Sequence, residues 1–185
     1  PLSEVLATID GHTRFLDEFS HWQPHYQKAK PDRGRLLATI TAYGCNLGIP
    51  AMAQAAVGIS DKQLENTATW YLDLKNIEKA HQRIVNFMAK LPLPNLYVKK
   101  EGELRTTSDG QKIKVASSNT IYASYSFKYF DRAKGVSAYS FMDERYIPFY
   151  STIINASERE AIYVLDGLLH NQAIRSTLHV TDTHG

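Results

Sequence analysis

Leu104-Arg105-Thr106-Thr107-Ser108-Asp109-Gly110-Gln111-Lys112-Ile113-Lys114-Val115 is where the chain changes its period. Upstream, apolar residues recur at helical spacing. From Leu104 the repeat is close to two, with Ile113 and Val115 alternating with Lys112 and Lys114, as in a strand with one face covered. Within this stretch, Thr106 to Gln111 sets a carboxylate among small hydroxyl residues and glycine. A second stretch of the same kind is Thr181-Asp182-Thr183-His184-Gly185. Each offers an oxygen ligand where a strand-like run ends or opens, a place that lets backbone and ligand approach closely. Alone, neither is specific. Asp-Gly between β-like runs is the commonest short hairpin signal, and an Asp at a strand exit also serves an Asx-turn or a helix N-cap.

Downstream, Val136 and Ala138 alternate with Tyr139 and Phe141, and Ile147 to Ile154 is β-branched and aromatic, with Pro148 suited to a strand start or edge. Asn155-Ala156-Ser157 turns into a helix for which Ser157 and Glu160 read as a capping box. Ala161, Ile162, Leu165, Leu168 and Leu169 read as its inner stripe, and Gly167 as a close approach to the sheet. Leu178 and Val180 build a last strand ending at Asp182. The order strand, strand, strand, helix, strand predicts a parallel, right-handed return, so that Asp182 emerges beside the first strand and close to Asp109.

Residues 1 to about 91 read as helical, 92–103 as a proline-broken linker, and 104–185 as the β-rich part, an α+β or α/β arrangement. Asp10-Gly11 closes the first expected helix, and Phe15, Leu16, Phe19 and Trp22 belong to a second. Pro31-Asp32 opens one with Leu36, Leu37, Ile40, Tyr43 and Leu47 as its buried stripe. Ala51 to Ala56, a turn at Val57-Gly58-Ile59, and a Ser60/Gln63 capping box leading to Leu64 and Trp70 have the outline of a helix-turn-helix or of an ordinary helical corner. A final helix from Asp73 to Lys90 presents Leu74, Ile77, Ile84 and Met88 inward.

The 185 residues are 43% hydrophobic and 22% charged, with a formal net charge of +2, which suits a globular chain and leaves nucleic acid neither demanded nor excluded. Cys45 is the single cysteine, so an intrachain disulfide and a thiolate zinc cluster are excluded, and a reducing, cytosolic setting fits. No apolar run approaches the roughly 20 residues of a membrane span. No Gly-x-Ser-x-Gly elbow and no phosphate-cradling glycine loop occurs. Opening at Pro1 and stopping at Gly185, the sequence reads as a piece of something longer.

Several stretches together resemble the transposases of the Tn-three group of replicative bacterial transposons. They are Leu36-Leu37 through Asn46-Leu47-Gly48, Ser108-Asp109-Gly110-Gln111, Lys128-Tyr129-Phe130 with Gly135-Val136, Val164-Leu165-Asp166-Gly167-Leu168-Leu169, and Thr181-Asp182-Thr183. They follow the family's order across nearly the whole chain. The resemblance implies a ribonuclease-H-like catalytic domain, here incomplete, preceded by a helical segment. On it Asp109 and Asp182 are the first two catalytic, metal-binding carboxylates of a DDE site, and the third, a Glu, lies beyond Gly185. It further implies Mg²⁺ or Mn²⁺ as cofactor, DNA as partner in the form of transposon ends and target, a homo-oligomer on DNA, and a bacterial, nucleoid-associated setting. The activity implied is hydrolysis at transposon ends and joining of the freed 3′-hydroxyls to target DNA, with this piece alone inactive. The alternatives are a non-catalytic DNA-binding or assembly module using residues 50–72, and a stand-alone nuclease of similar fold.

Two hard divalent ions roughly 4 Å apart neutralise a scissile phosphate and activate an oxygen nucleophile, and carboxylates are their fitting ligands. Of the remaining groups, Asp143-Glu144 reads as a solvated hairpin turn, Asp166 as outward, His179 and His184 as neighbours of the site at most, and Ser108, Thr181 and Thr183 as residues that orient the carboxylates. Lys112 and Lys114, and Lys128, Arg132 and Lys134 among Tyr125, Phe127, Tyr129 and Phe130, read in two ways: as contacts to phosphates and distorted bases, or as a buried aromatic cluster with a basic rim.

Overall fold

In the computed structural model, which describes residues 2–26, 28, 30–100, 102–116, 120–170 and 174–181, the stretch that changes period is one uninterrupted strand, β1 (Arg105–Lys114). Asp109 therefore lies in mid-strand and not at the strand end or turn that its Asp-Gly pair suggests. Cross-strand pairing is the reason. Residues 106 to 114 are matched antiparallel against β3 (Lys134–Asp143), from Thr106 opposite Asp143 to Lys114 opposite Gly135, and that ladder overrides a two-residue turn signal. On its other side β3 pairs antiparallel with β4 (Pro148–Asn155) and, at its start, with the two-residue β2 (Ser124–Tyr125). Pro148 opens β4, as expected.

The last strand, β5 (Leu178–Thr181), returns parallel to β1, with Arg105 opposite Leu178 and Ser108 opposite Thr181. The strand order is β4-β3-β1-β5, and the connection from β4 to β5 passes through the helix α8 (Ala161–His170), as a parallel return requires. The β-rich part is thus strand, strand, strand, helix, strand apart from the small β2, and the chain as a whole is α+β, helices first.

Two expectations for α8 fail, for related reasons. Ser157 does not form a capping box with Glu160. Its N–H and hydroxyl both donate to Asn155 Oδ1, at 3.0 and 2.7 Å, and the Glu160 carboxylate reaches the sheet instead. Nor does the apolar stripe face inward, since Ile162, Leu165 and Leu169 are 71%, 63% and 71% exposed. The helix meets the sheet at Gly167, where a Cβ would overlap the ring of the fully buried Phe141. Gly167→Val is expected to cost about 1–3 kcal/mol by overpacking this approach, seen as a lower urea midpoint at unchanged m-value.

Asp143 corrects a third reading. It is not solvated: its side chain is fully buried at the β3–β4 turn. It accepts the N–H groups of Arg145 (2.9 Å) and Ile147 (3.1 Å), and the Arg145 guanidinium at 2.8 and 2.6 Å. The core of this part is Tyr139, Phe141, Ile147, Phe149, Ile154 and Ile174.

The chain divides into two compact units, 1–87 and 88–185. In the first, α1 (Leu2–Thr13) runs through Asp10-Gly11 rather than closing there, because buried Asp10 is satisfied beyond the helix by the Leu16 N–H (3.0 Å) and Arg33. α2 (Arg33–Gly44) starts at Asp32, whose side chain accepts from the Arg35 N–H at 2.8 Å. It buries Leu36, Thr39 and Ala42. Tyr43 and Leu47 are exposed, since the helix ends at Gly44 and Asn46 turns to positive φ. α3 (Ile49–Ala55) and α4 (Asp61–Tyr71) form the expected corner, with Gly58 at φ +75° in the turn, the Ser60/Gln63 capping box made, and Leu64 buried on Ala42, Ile49 and Met52.

In α5 (Leu74–Met88) the buried face is Asn76, Ala80 and Val85, while Leu74 and Ile77 are exposed. The Asn76 amide donates to the carbonyls of Ser20 (2.7 Å) and Tyr71 (2.9 Å), which sets the helix's rotation. A short helix, α6 (Pro92–Asn95), occupies part of the expected linker. Among the described residues no helix is long and apolar enough to cross a membrane.

Candidate active site

Side chains alternate across β1, so it carries two different surfaces. Thr106, Ser108, Gly110 and Lys112 point toward α8, and Thr107, Asp109, Gln111 and Ile113 point the other way. The helix-facing residues are polar although the first two are buried, and each is satisfied. The His179 imidazole, directly opposite Thr106 in register, spans both hydroxyls: Nδ1 lies 2.8 Å from Thr106 Oγ1 and Nε2 lies 2.9 Å from Ser108 Oγ. Thr106 also meets Ser176 Oγ at 2.6 Å, and Ser108 meets the Tyr139 hydroxyl at 2.7 Å. One residue of β5 thus ties two residues of β1.

Burial holds the His179 imidazole below its ordinary 6.5, and burial pushes the Tyr139 phenol up against the opposing hydrogen bond from Ser108. A histidine whose folded pKa is depressed binds fewer protons folded than unfolded, so stability rises with pH through the window below 6.5. Its contribution is complete above that value and is lost as pH falls toward and past the folded pKa. Chemical denaturation at pH 7.5 and 5.5 is expected to show a loss of stability at the lower pH that is smaller in His179→Gln.

Further along the same face, Glu160 Oε1 accepts from Lys112 Nζ at 2.6 Å and from Ser137 Oγ at 3.2 Å, both ends of the ion pair being only 18% exposed. Its carboxylate lies over Gly110, where a Cβ would overlap it. Gly110 leaves room for this carboxylate in mid-strand and is not part of a turn.

Asp109 is on the opposite, open face, paired with Ser140, and is exposed. Its Oδ1 accepts the Gly110 N–H at 2.8 Å, which leaves the second carboxylate oxygen for a ligand. A hard, solvent-facing oxygen donor on a rigid strand fits Mg²⁺ or Mn²⁺. Among the described residues no three His, Cys, Asp or Glu side chains converge as a metal cluster. Asp182, Thr183 and His184 lie outside the described residues; Thr181, the residue before Asp182, is opposite Ser108, the residue before Asp109.

Sequence reading misses Glu160 and the hydroxyl pair bridged by His179. The signal for both is the polarity of every second residue on β1, which an ordinary half-buried strand does not show on its covered side.

Residues 4–185 match the family described as the Tn3 transposase DDE domain. The chain is similar to the transposase for transposon Tn1546 of Enterococcus faecium, at 31% identity over 186 residues, and to that for Tn2501 of Escherichia coli, at 33% over 187. It is 29% identical over 186 residues to the transposase for transposon gamma-delta of Escherichia coli. Each alignment covers 100% of this chain but 18% of the relative, so the chain spans under a fifth of the length of these proteins.

Proposed function

The chain belongs to the Tn3 transposase DDE-domain family, and on that premise we propose that it carries two of the three carboxylates of a metal-dependent phosphodiester-transfer site, Asp109 and Asp182, on a ribonuclease-H-like sheet. The observation that carries this reading is the register of β5 on β1. Paired residues of the two strands keep a constant offset of 73 positions, as in Thr106 with His179, and Asp182 follows Asp109 by the same offset. The third carboxylate comes from a part of the full-length protein outside this sequence.

In this reading Asp109 and Asp182 hold Mg²⁺ or Mn²⁺. A divalent cation bound there supplies positive charge to the scissile phosphate and lowers the pKa of the attacking oxygen. The chain's own residues do the positioning. The β1 ladder and the Gly110 N–H fix the Asp109 carboxylate on an open face that a DNA backbone can reach, and His179 holds β5 in the register that brings its exit alongside. The full-length protein would cut at transposon ends and join the resulting 3′-hydroxyls to target DNA, acting as an oligomer on DNA. The proposal stands or falls on whether cleavage and joining depend on both acids while end binding does not.

A further inference from the structure

Phe130 is buried, its ring seated on the bare backbone of Gly135, which pins the short helix α7 (Phe127–Phe130) to the start of β3. The neighbouring rings are not buried with it. Tyr125, Phe127 and Tyr129 are 65%, 79% and 49% exposed, so a buried aromatic cluster with a basic rim describes Phe130 and not the others. Large rings left exposed on and beside an anchored helix offer apolar faces to a ligand.

What surrounds them is cationic. Lys112 and Lys128 ammonium groups lie 5.5 and 5.0 Å from the centre of the Tyr129 ring, and Lys134 lies 5.3 Å from that of Tyr125. Lys112 is held there from behind by Glu160. Between Tyr125 and Lys134 the chain carries Lys128, Arg132 and Lys134 against the single acid Asp131.

We propose that Tyr125, Phe127 and Tyr129, with Lys128 and Lys134, form a stacking surface for unpaired bases of single-stranded DNA. Exposed rings take the face of any base, while the lysines meet the phosphates between bases; bases inside a duplex are already stacked and cannot use the rings. DNA as the occupant rests on the function proposed above; the exposed, cation-flanked rings do not.

The test is fluorescence anisotropy of a labelled oligothymidylate, and of a duplex of equal length, against the full chain in EDTA. Chelation makes the titration independent of the carboxylate pair, so failure here leaves the transfer site standing, and failure there leaves this surface standing. Phe127→Ala and Tyr129→Ala are each expected to weaken oligothymidylate binding about 5- to 150-fold, one base stack at 1.4 kcal/mol per decade. Duplex binding should be little changed, and Phe127→Trp should retain single-strand affinity. Lys128→Ala with Lys134→Ala should flatten the salt dependence, by about 0.7 in slope for each phosphate no longer neutralised. Unchanged single-strand affinity in both ring variants, or equal losses on duplex, would overturn the proposal. So would ring variants that change the chain's sedimenting mass and leave its DNA affinity alone, because the rings would then be covering a protein interface.

Discussion

Asp109→Asn, in a protein of the relatives' full length, is expected to lower end cleavage and strand transfer by at least about 10³-fold while leaving binding to transposon-end DNA within about twofold. The asymmetry follows from the position. The amide oxygen of an asparagine can still accept the Gly110 N–H that Asp109 Oδ1 accepts at 2.8 Å, and the residue is exposed in mid-strand, so the fold loses little. What disappears is the negative charge and one hard ligand for a divalent cation, whose transition-state stabilisation is worth several kcal/mol, or several decades of rate at about 1.36 kcal/mol each. Asp182→Asn should act alike, and if the two acids serve one site, as proposed, the double variant should be little worse than either single one. Cleavage and joining are read on a labelled end substrate in Mn²⁺, and binding by gel shift in EDTA. Retained cleavage with lost binding would remove the catalytic assignment and leave a DNA-binding module.

The second large effect concerns stability. Asp143→Ala deletes the acceptor of four hydrogen bonds inside the β3–β4 turn and leaves the Arg145 guanidinium, with 12% of its side chain exposed, without its partner. Removing one member of a buried ion pair costs about 3–5 kcal/mol. For a unit of this size that corresponds to a fall in Tm of about 12–40 °C, at about 4–8 °C per kcal/mol. The double change Asp143→Ala with Arg145→Met should recover part of the loss, because no buried charge is then stranded. Thermal unfolding followed by circular dichroism reads both. A Tm within a few degrees of the parent for Asp143→Ala would return the residue to the solvated turn that its sequence context suggests.

Asp109 departs from its turn signal, and Asp143, though it does sit at a turn, departs from the solvation expected there, for one physical reason. Asp109-Gly110 and Asp143-Glu144 are turn-like in composition, and composition carries no information about a partner strand. Asp109 is held straight by β3 across the sheet, and Asp143 is buried by an arginine two residues on and the ladder around it. Long-range order is more legible. The period-two runs, the helix between them and the short β-branched strand are enough to expect β5 to return parallel beside β1, and it does.

The helical unit divides the same way. Capping residues such as Asp32, Ser60 and Gln63 act within one turn, so their roles are read directly. Helix rotation depends on which polar group is satisfied inside, and so Asn76 sets the face of α5 in place of the expected Leu74 and Ile77. The inward polar row of β1 is visible as hydroxyls at alternate positions. Its partners, His179 and Glu160, sit far along the chain and become identifiable only through register.

The strict alternation on β1 has a consequence for how the sequence can vary. One residue added or removed between Arg105 and Asp109 exchanges the strand's two sides, sending the acid under the helix and the hydroxyls that grip His179 out into water. The interval is thus a measured length, whose number of residues decides which side the acid faces and whose hydroxyls at Thr106 and Ser108 decide what holds the neighbouring strand.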